Sequence, residues 1–521
     1  VLKYIPLRLD EGAAPGEPFD DRLERVAGPL RSLDEAQARM RFSLATGESL
    51  IKTTISLCPE CLAHVPAAVL ARDGKVWIRK TCDRHGATEA VIENDVNYYR
   101  VSSKDRWGKA YGDHARQDFP EFAGSCCGPG QACASTPADA AIANFADFAD
   151  QSGNKTCTVL VEITDACNLA CRVCYSDSKG DRVLPLEAFR QHVSALIALK
   201  GRLDSVQVTG GEASLHPQFW EMLEWLCAQD GVGKIYLPTN GLLFNKPGFA
   251  ARLAPLRDRV LVLLQFDGRD EVSNAALRNA KPQKQRERLI RELDRAGIAM
   301  QLTMTLTHGV SEADIAWVVA QGLRHRNVRL VAMQPAFFSG RYELGAQAAA
   351  RLTLSDCVKG VVAGMAGKAQ EADFMPIPCS HPNCGWVTLF ARRFGLVRNI
   401  ARNVDLDAVM NDVAYKTLLS KDEMQDILGT RGPWHKRLLA RLGRRLVRPK
   451  DVFGIAIKPF MDRFSYDQDR VSNCCHHILD TEGNAVSFCE YNARLRHGDS
   501  WQHFPRIDAP ETALAAVSSS P

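Results

Sequence analysis

Three cysteines inside eight residues, Cys167, Cys171 and Cys174, follow directly on a strand-like run from Thr158 to Thr164. Thiolates are the ligands a cubane iron-sulfur cluster needs, and three from one short loop leave the fourth iron open to a small molecule. A structural zinc loop is the competing reading of the same thiols. Upstream, Cys58 and Cys61 form a Cys-x2-Cys knuckle, and Cys82 and His85 a Cys-x2-His knuckle, with a short strand from Val76 to Arg79 between them. Four soft ligands in two knuckles suit one tetrahedral structural metal. Zinc and iron both satisfy that donor set, and a surface His85 with the fourth ligand from elsewhere is the alternative.

The chain carries 17 cysteines. Cys157, Cys227 and Cys357 read as packing residues, because a free cysteine behaves as a small buried hydrophobe. Eight others fall in three irregular segments: Cys126, Cys127 and Cys133; Cys379 and Cys384; Cys474, Cys475 and Cys489. Eight thiolates can hold two fully ligated auxiliary 4Fe-4S clusters, and within the pairs Cys126/Cys127 and Cys474/Cys475 one member can be a bystander. So many thiols without an apolar export signal point to metal rather than disulfides and to a reducing, cytoplasmic compartment.

These groups must be positioned by a chain of 521 residues, long enough for roughly three structural units. Its hydrophobic fraction of 45% and charged fraction of 24% are ordinary for a globular protein, and a net charge of +4 is too small to imply a nucleic-acid partner. No stretch approaches the ~18 uninterrupted apolar residues of a membrane span. Apolar runs at Val206–Thr209, Ile235–Leu237, Val260–Phe266, Met300–Leu306 and Val328–Met333 alternate with helical patterns such as Leu186–Leu199 and Gln218–Ala228. Strands alternating with helices predict parallel β/α units with chemistry at the strand C-termini.

The Cys-x3-Cys-x2-Cys loop after a first strand, followed in order by Gly210-Gly211-Glu212 and Thr239-Asn240-Gly241, resembles the radical S-adenosylmethionine (SAM) superfamily. The resemblance implies an α/β fold built on a partial (β/α)6 barrel. It also implies a 4Fe-4S cluster on Cys167, Cys171 and Cys174 whose open iron binds SAM and cleaves it reductively to a 5'-deoxyadenosyl radical. Gly210, Gly211 and Glu212 are then expected at the methionine end, and Thr239, Asn240, Gln265 and Asp267 at strand ends near ribose or adenine. One departure stands at Val173, where many members carry an aromatic residue; here Tyr175 follows the third cysteine instead.

The succession of ribbon, Gly- and Cys-rich loop, barrel, Pro-Cys-x4-Cys element and Cys474-Cys475-His476-His477 to Cys489 is similar to the archaeal tetraether lipid synthase group and its bacterial relatives, also discussed as C-methylases of a methanopterin precursor. The expected organisation is an N-terminal arm at 1–50, covering the barrel; a rubredoxin-like or zinc-ribbon module at 51–105; a Cys-rich linker at 106–150; and the barrel at 151–345. A helical cover at 346–450, an auxiliary-cluster segment at 451–500 and a disordered tail at 501–521 follow. The resemblance implies carbon-carbon bond formation between lipid alkyl chains; C-methylation of a pterin-like heterocycle is the alternative, and an electron carrier or maturation scaffold the third reading. A flavodoxin- or ferredoxin-type reductant and a lipid or small-molecule substrate are the expected partners. Trp434, Leu438, Leu439, Leu442 and Leu446, ringed by Lys and Arg, suggest a basic amphipathic helix suited to peripheral membrane contact, against the commoner docking of such a stripe on the protein's own core.

Overall fold

The computed structural model describes residues 19–102, 156–344, 351–377, 379–403, 434–435, 438, 448–472 and 474–508. Cys126, Cys127 and Cys133, with most of the 404–447 segment, lie outside the described residues. Strands β1 (Ser49–Leu57), β2 (His64–Arg72), β3 (Lys75–Cys82) and β4 (Gly86–Glu93) form one antiparallel sheet in chain order. Asp73 and Gly74, both at positive φ (53 and 74), make the tight turn between β2 and β3, the conformation whose twist matches a two-residue hairpin. Helix α1 (Phe19–Arg31) lays Leu23, Ala27 and Leu30 on Leu50, Ile55 and Ala68 of this sheet. The N-terminal arm therefore covers the ribbon, not the barrel, because that i, i+4, i+7 stripe meets the apolar face of β1 and β2.

The barrel strands are β5 (Thr158–Glu162), β6 (Leu203–Thr209), β7 (Val232–Thr239), β8 (Val260–Gln265), β9 (Ala299–Leu306) and β10 (Val328–Pro335), each parallel to its neighbour. Helices α2 (Leu186–Lys200), α3 (Phe219–Cys227), α4 (Glu271–Arg278), α5 (Gln283–Arg295) and α6 (Ile315–Arg324) connect them. Strand β8 shows the logic: Val260, Val262 and Leu264 are buried in the core, whereas Leu261, Leu263 and Gln265 line the lumen. Alternation by two sends one set to each face, and burial of both faces makes the run nearly continuous in apolar residues.

The barrel extends beyond six strands. Strand β12 (Val452–Ile457) pairs in parallel with β10, β13 (His476–Leu479) pairs in parallel with β5, and β11 (Trp386–Arg393) pairs antiparallel with β12. The 451–500 segment thus contributes strands to the barrel sheet as well as carrying Cys474, Cys475 and Cys489, and the expected helical cover contains helix α7 (Leu354–Gly364) and then a β-hairpin from Trp386 to Asn399. An open six-stranded sheet leaves two rows of unpaired backbone groups, and these late strands satisfy both. The expected disordered tail is also corrected in part: Phe504 is buried in the main core, and Arg506 bridges Arg182. In the basic segment, Trp434 and Leu438 are 70% and 49% exposed. No helix among the described residues is long and apolar enough to cross a membrane.

Candidate radical-cluster site

The cysteine loop leaves β5 and is folded back on itself by Thr164, whose hydroxyl donates to the Arg182 carbonyl (2.7 Å) and accepts from the Ala166 amide (3.1 Å). The Gly210–Gly211 turn after β6 presses on this loop. Amides of Gly211 and Glu212 donate to the carbonyls of Thr164 and Ala166, each at 2.9 Å. A Cβ at Gly210 would stand 2.2 Å from the Thr164 oxygen, and one at Gly211 2.1 Å from the Ala166 oxygen; Gly210 also has φ +136. Only glycine permits this approach.

Cys167, Cys171 and Cys174 line one cavity of about 380 Å³ together with Gly210, Gly211, Glu212, Thr239, Asn240 and Gln265. Burial pushes the Cys167 thiol up to about 12, with Glu212 and the other two thiols adding to the rise. Such a thiol ionises readily only against a cation, which the iron of a cluster held here would provide.

Glu212 is 2% exposed. Its carboxylate accepts from the hydroxyls of Ser214 (2.6 Å) and Thr239 (3.0 Å) and from the Asn240 amide (2.9 Å). Burial raises its pKa and these bonds oppose the rise. Thr239 therefore acts on Glu212, while the Asn240 side chain donates to Asn168 of the cysteine loop at 2.7 Å.

Asp267 differs from its expected role. It is fully buried and accepts from Arg278 Nε and Nη2 (2.8 Å each), Gln265 Nε2 (2.6 Å) and the Thr305 amide (3.0 Å), and Arg278 and Arg286, not Asp267, face the cavity. Burial alone would raise its pKa, but Arg278 and Arg286 outweigh it and hold the carboxyl below the usual range. Arg278 also donates to the Val173 carbonyl (3.3 Å) and lies against the Cys171 thiol. Sequence reasoning missed it; its signal was an Arg on the helix directly following the Asp267-Gly268 strand end.

In the ribbon, Cys58, Cys61, Cys82 and His85 bring their ligand atoms within 4.8 Å of one another. Cys61 Sγ and Cys82 Sγ are 3.9 Å apart, and His85 Nδ1 is 3.5 Å from both Cys58 Sγ and Cys82 Sγ. A tetrahedral zinc with ~2.3 Å bonds to sulfur requires sulfurs about 3.8 Å apart, so the donor set fits one such ion.

The remaining described thiols fall into two groups. Cys157, Cys379 and Cys475 are buried with their sulfurs within 4.8 Å. Cys157 is buried as a packing residue would be, but its neighbours are thiols: placed just before β5 and beside the start of β13, it joins the other two as a candidate ligand and borders the lumen. Cys384, Cys474 and Cys489 form a second, looser neighbourhood in which each thiol feels the others' charge, and Arg470 faces Cys384 and Cys489. Burial pushes Cys489 up to about 12, and Cys474 and Cys384 add to it. Adjacent Cys474 and Cys475 serve different groups, as side chains of an extended chain point opposite ways. The cavity bounded by Cys167, Cys171 and Cys174 is also lined by Cys157, Cys379 and Cys475, so one lumen joins both thiol sets.

Comparison with known proteins agrees with this geometry. Residues 50–94 match the HMPTM N-terminal zinc ribbon domain, and residues 161–320 match the radical SAM superfamily. The chain is 24% identical over 513 residues to 7,8-dihydro-6-hydroxymethylpterin dimethyltransferase of Methanocaldococcus jannaschii, spanning 85% of this chain and 94% of the relative. It is 36% identical over 157 residues to mycofactocin maturase MftC of Mycobacterium ulcerans, covering 29% and 41% of the two chains. It is 26% identical over 253 residues to GTP 3',8-cyclase of Chlorobaculum tepidum, covering 47% and 74%. A glycine-clamped cysteine loop at the C-terminal end of β5, on a parallel barrel preceded by a zinc ribbon, gives residues 161–320 the form of a radical SAM domain.

Proposed function

We propose that this radical SAM enzyme is a C-methyltransferase acting on a pterin-like nitrogen heterocycle. When bound, the 4Fe-4S cluster and SAM supply a one-electron cleavage able to activate a carbon-hydrogen bond that side-chain acids and bases cannot. Cys167, Cys171 and Cys174 would hold the cluster, with Gly210, Gly211 and Glu212 at the methionine end. The two further thiol groups are suited to auxiliary clusters, each with three ligands among the described residues.

The observation that carries the substrate class is the lumen wall. Gln207, Gln265, Gln301 and Gln334 face it with Thr303, Thr305 and Tyr236. The side-chain amides of Gln207 and Gln334 engage no protein group among the described residues. An alkyl chain would leave such amides unpaired at about 1–3 kcal/mol each, whereas a fused nitrogen heterocycle offers them donors and acceptors. Phe460, Phe488 and His476 form an aromatic side to the same cavity, with Phe460 and Phe488 ring centres 4.5 Å apart. The relatives' names include a pterin and a purine nucleotide, both fused nitrogen heterocycles.

Alkyl-chain coupling is the second reading, favoured by Leu160, Leu261, Leu263 and Leu330 on the same wall. Anaerobic incubation with reductant, SAM and 7,8-dihydro-6-hydroxymethylpterin separates the two. A product gaining one or two methyl groups by mass spectrometry supports methylation. No change in the pterin, with coupled chains appearing from a supplied diether lipid, would replace it with coupling.

A further inference from the structure

Lys458 follows β12 and continues its ladder: its backbone amide donates to the Met333 carbonyl at 2.9 Å, one step beyond the Met333–Ile457 pair. On β10 the lumen-facing residues are Leu330, Ala332 and Gln334, and Ala456, paired with Ala332, faces the lumen from β12. Alternation therefore sends Lys458 into the lumen beside Gln334, which in turn pairs with Thr305. The side chain does line the cavity. Its ammonium meets no carboxylate and no hydrogen-bond acceptor among the described residues, and it stands 5.4 Å from the centre of the Phe460 ring.

Apart from the thiols around Cys474, which lie within reach of this charge, the ionisable groups bordering the cavity do not answer it. Glu212 is engaged by Ser214, Thr239 and Asn240, and the carboxylate nearest the two cavity arginines, Asp267, is turned away and shared between them. His476 meets Phe488 edge to face at 5.4 Å and lies tilted against Phe460 at 5.9 Å, and burial, with Lys458 adding to it, lowers its pKa. A partly desolvated cation without a counter-charge is unfavourable, and the contact with one ring face offsets only part of that. The ammonium lies beside an aromatic wall that continues from Phe460 through Phe488 to Tyr175, at 5.2 Å, which adjoins Cys174 in the sequence.

We propose that Lys458 is the charge-selecting residue of the lumen, and that the substrate is a planar heteroaromatic molecule carrying an anionic group that Lys458 pairs with while its ring lies along Phe460 and Phe488. This deepens the heterocycle reading and rests on it for the ring, whereas the charge selection stands on an ammonium that faces the lumen with no carboxylate partner among the described residues. Lys458 also lies near Cys474, so a role confined to balancing the thiolates there is the outcome the test must separate.

The test is fluorescence titration of the anaerobic, metal-loaded protein with two probe pairs: pterin-6-carboxylate against 6-hydroxymethylpterin, and 2-naphthoate against 2-naphthalenemethanol. Within each pair the anion is expected to bind at least about tenfold tighter, as a charge-assisted hydrogen bond allows. Lys458→Met and Lys458→Gln are expected to remove the preference with iron content unchanged, and Lys458→Arg to keep it. Equal affinities within both pairs, a preference that survives Lys458→Met and Lys458→Gln, or binding of none of the four would overturn the assignment. Pterins that bind without charge preference would sink the assignment and leave the heterocycle reading standing. Charge preference among the naphthalene probes, lost on Lys458→Met, with neither pterin binding would do the reverse.

Discussion

Gly211 and Glu212 are neighbours in sequence with separable duties. Gly211 gives the cysteine loop room, since any Cβ would collide with the Ala166 carbonyl. Gly211→Ala is therefore expected to displace the loop and lower iron content by about four per chain, the complement of one cubane, with ribbon zinc retained; elemental analysis reads both. Glu212→Gln leaves the loop in place but replaces a carboxylate that accepts three hydrogen bonds. Loss of charge-assisted bonds worth about 1.5–3 kcal/mol predicts roughly 10–100-fold weaker SAM binding at unchanged iron content, measurable by equilibrium dialysis. Both residues were legible in the sequence because the cysteine loop and the Gly-Gly-Glu turn are each local. Arg278, Lys458 and the true role of Cys157 were not. Each takes its meaning from a partner that the tertiary fold brings alongside, Asp267 and Cys171 for the first, Gln334 for the second, Cys379 and Cys475 for the third.

At the scale of elements, the ribbon is fastened to the segment that carries the last cysteines. Lys52 on β1 reaches Asp469 (2.7 Å) and Asp467 (3.0 Å), all three buried, while Thr54 donates to Asp467 (2.6 Å) and Ser56 to the Tyr466 carbonyl (2.6 Å). Lys52→Met would strand two carboxylates out of water, and the expected loss is about 3–5 kcal/mol, read by denaturant unfolding of the whole chain. The turn between β13 and β14 (Ala485–Ser487) holds a second lever. Burial lifts Asp480 to about 6 from an ordinary 3.8, against hydrogen bonds from Asn484 that pull it down. The folded state then binds a proton the unfolded chain releases, so this group's contribution to stability falls as pH rises from about 4 to 6, by about 2–3 kcal/mol in all. Asp480→Asn should flatten that part of the wild-type pH profile in thermal melts from pH 4 to 7; an unchanged profile would show the carboxyl titrates normally. The sequence announced the six barrel strands through their alternation with helices, but not β12 and β13. These are short, separated from their partners by more than a hundred residues, and embedded between cysteines that drew the eye to metal rather than to pairing.

The described residues make a zinc ribbon and a barrel joined by the C-terminal segment, which supplies strands to both barrel edges, members of both further thiol groups and the lumen cation. One cavity runs from the cysteine loop to Cys157, Cys379 and Cys475, so chemistry started at one mouth is enclosed by protein and exposed to the second thiol set. Ribbon metal and barrel thiols being independent, treatment with a zinc chelator is expected to release about one zinc per chain without loss of iron, as measured by elemental analysis. The account as a whole rests on SAM cleavage at the loop thiols. Its most direct measurement is 5'-deoxyadenosine formed by the anaerobic, reduced protein supplied with SAM, beside a variant with Cys167, Cys171 and Cys174 all changed to Ala. The account predicts steady formation by the native chain and none by the variant, which keeps its ribbon zinc. No 5'-deoxyadenosine from fully iron-loaded native protein, or equal amounts from both, would contradict it.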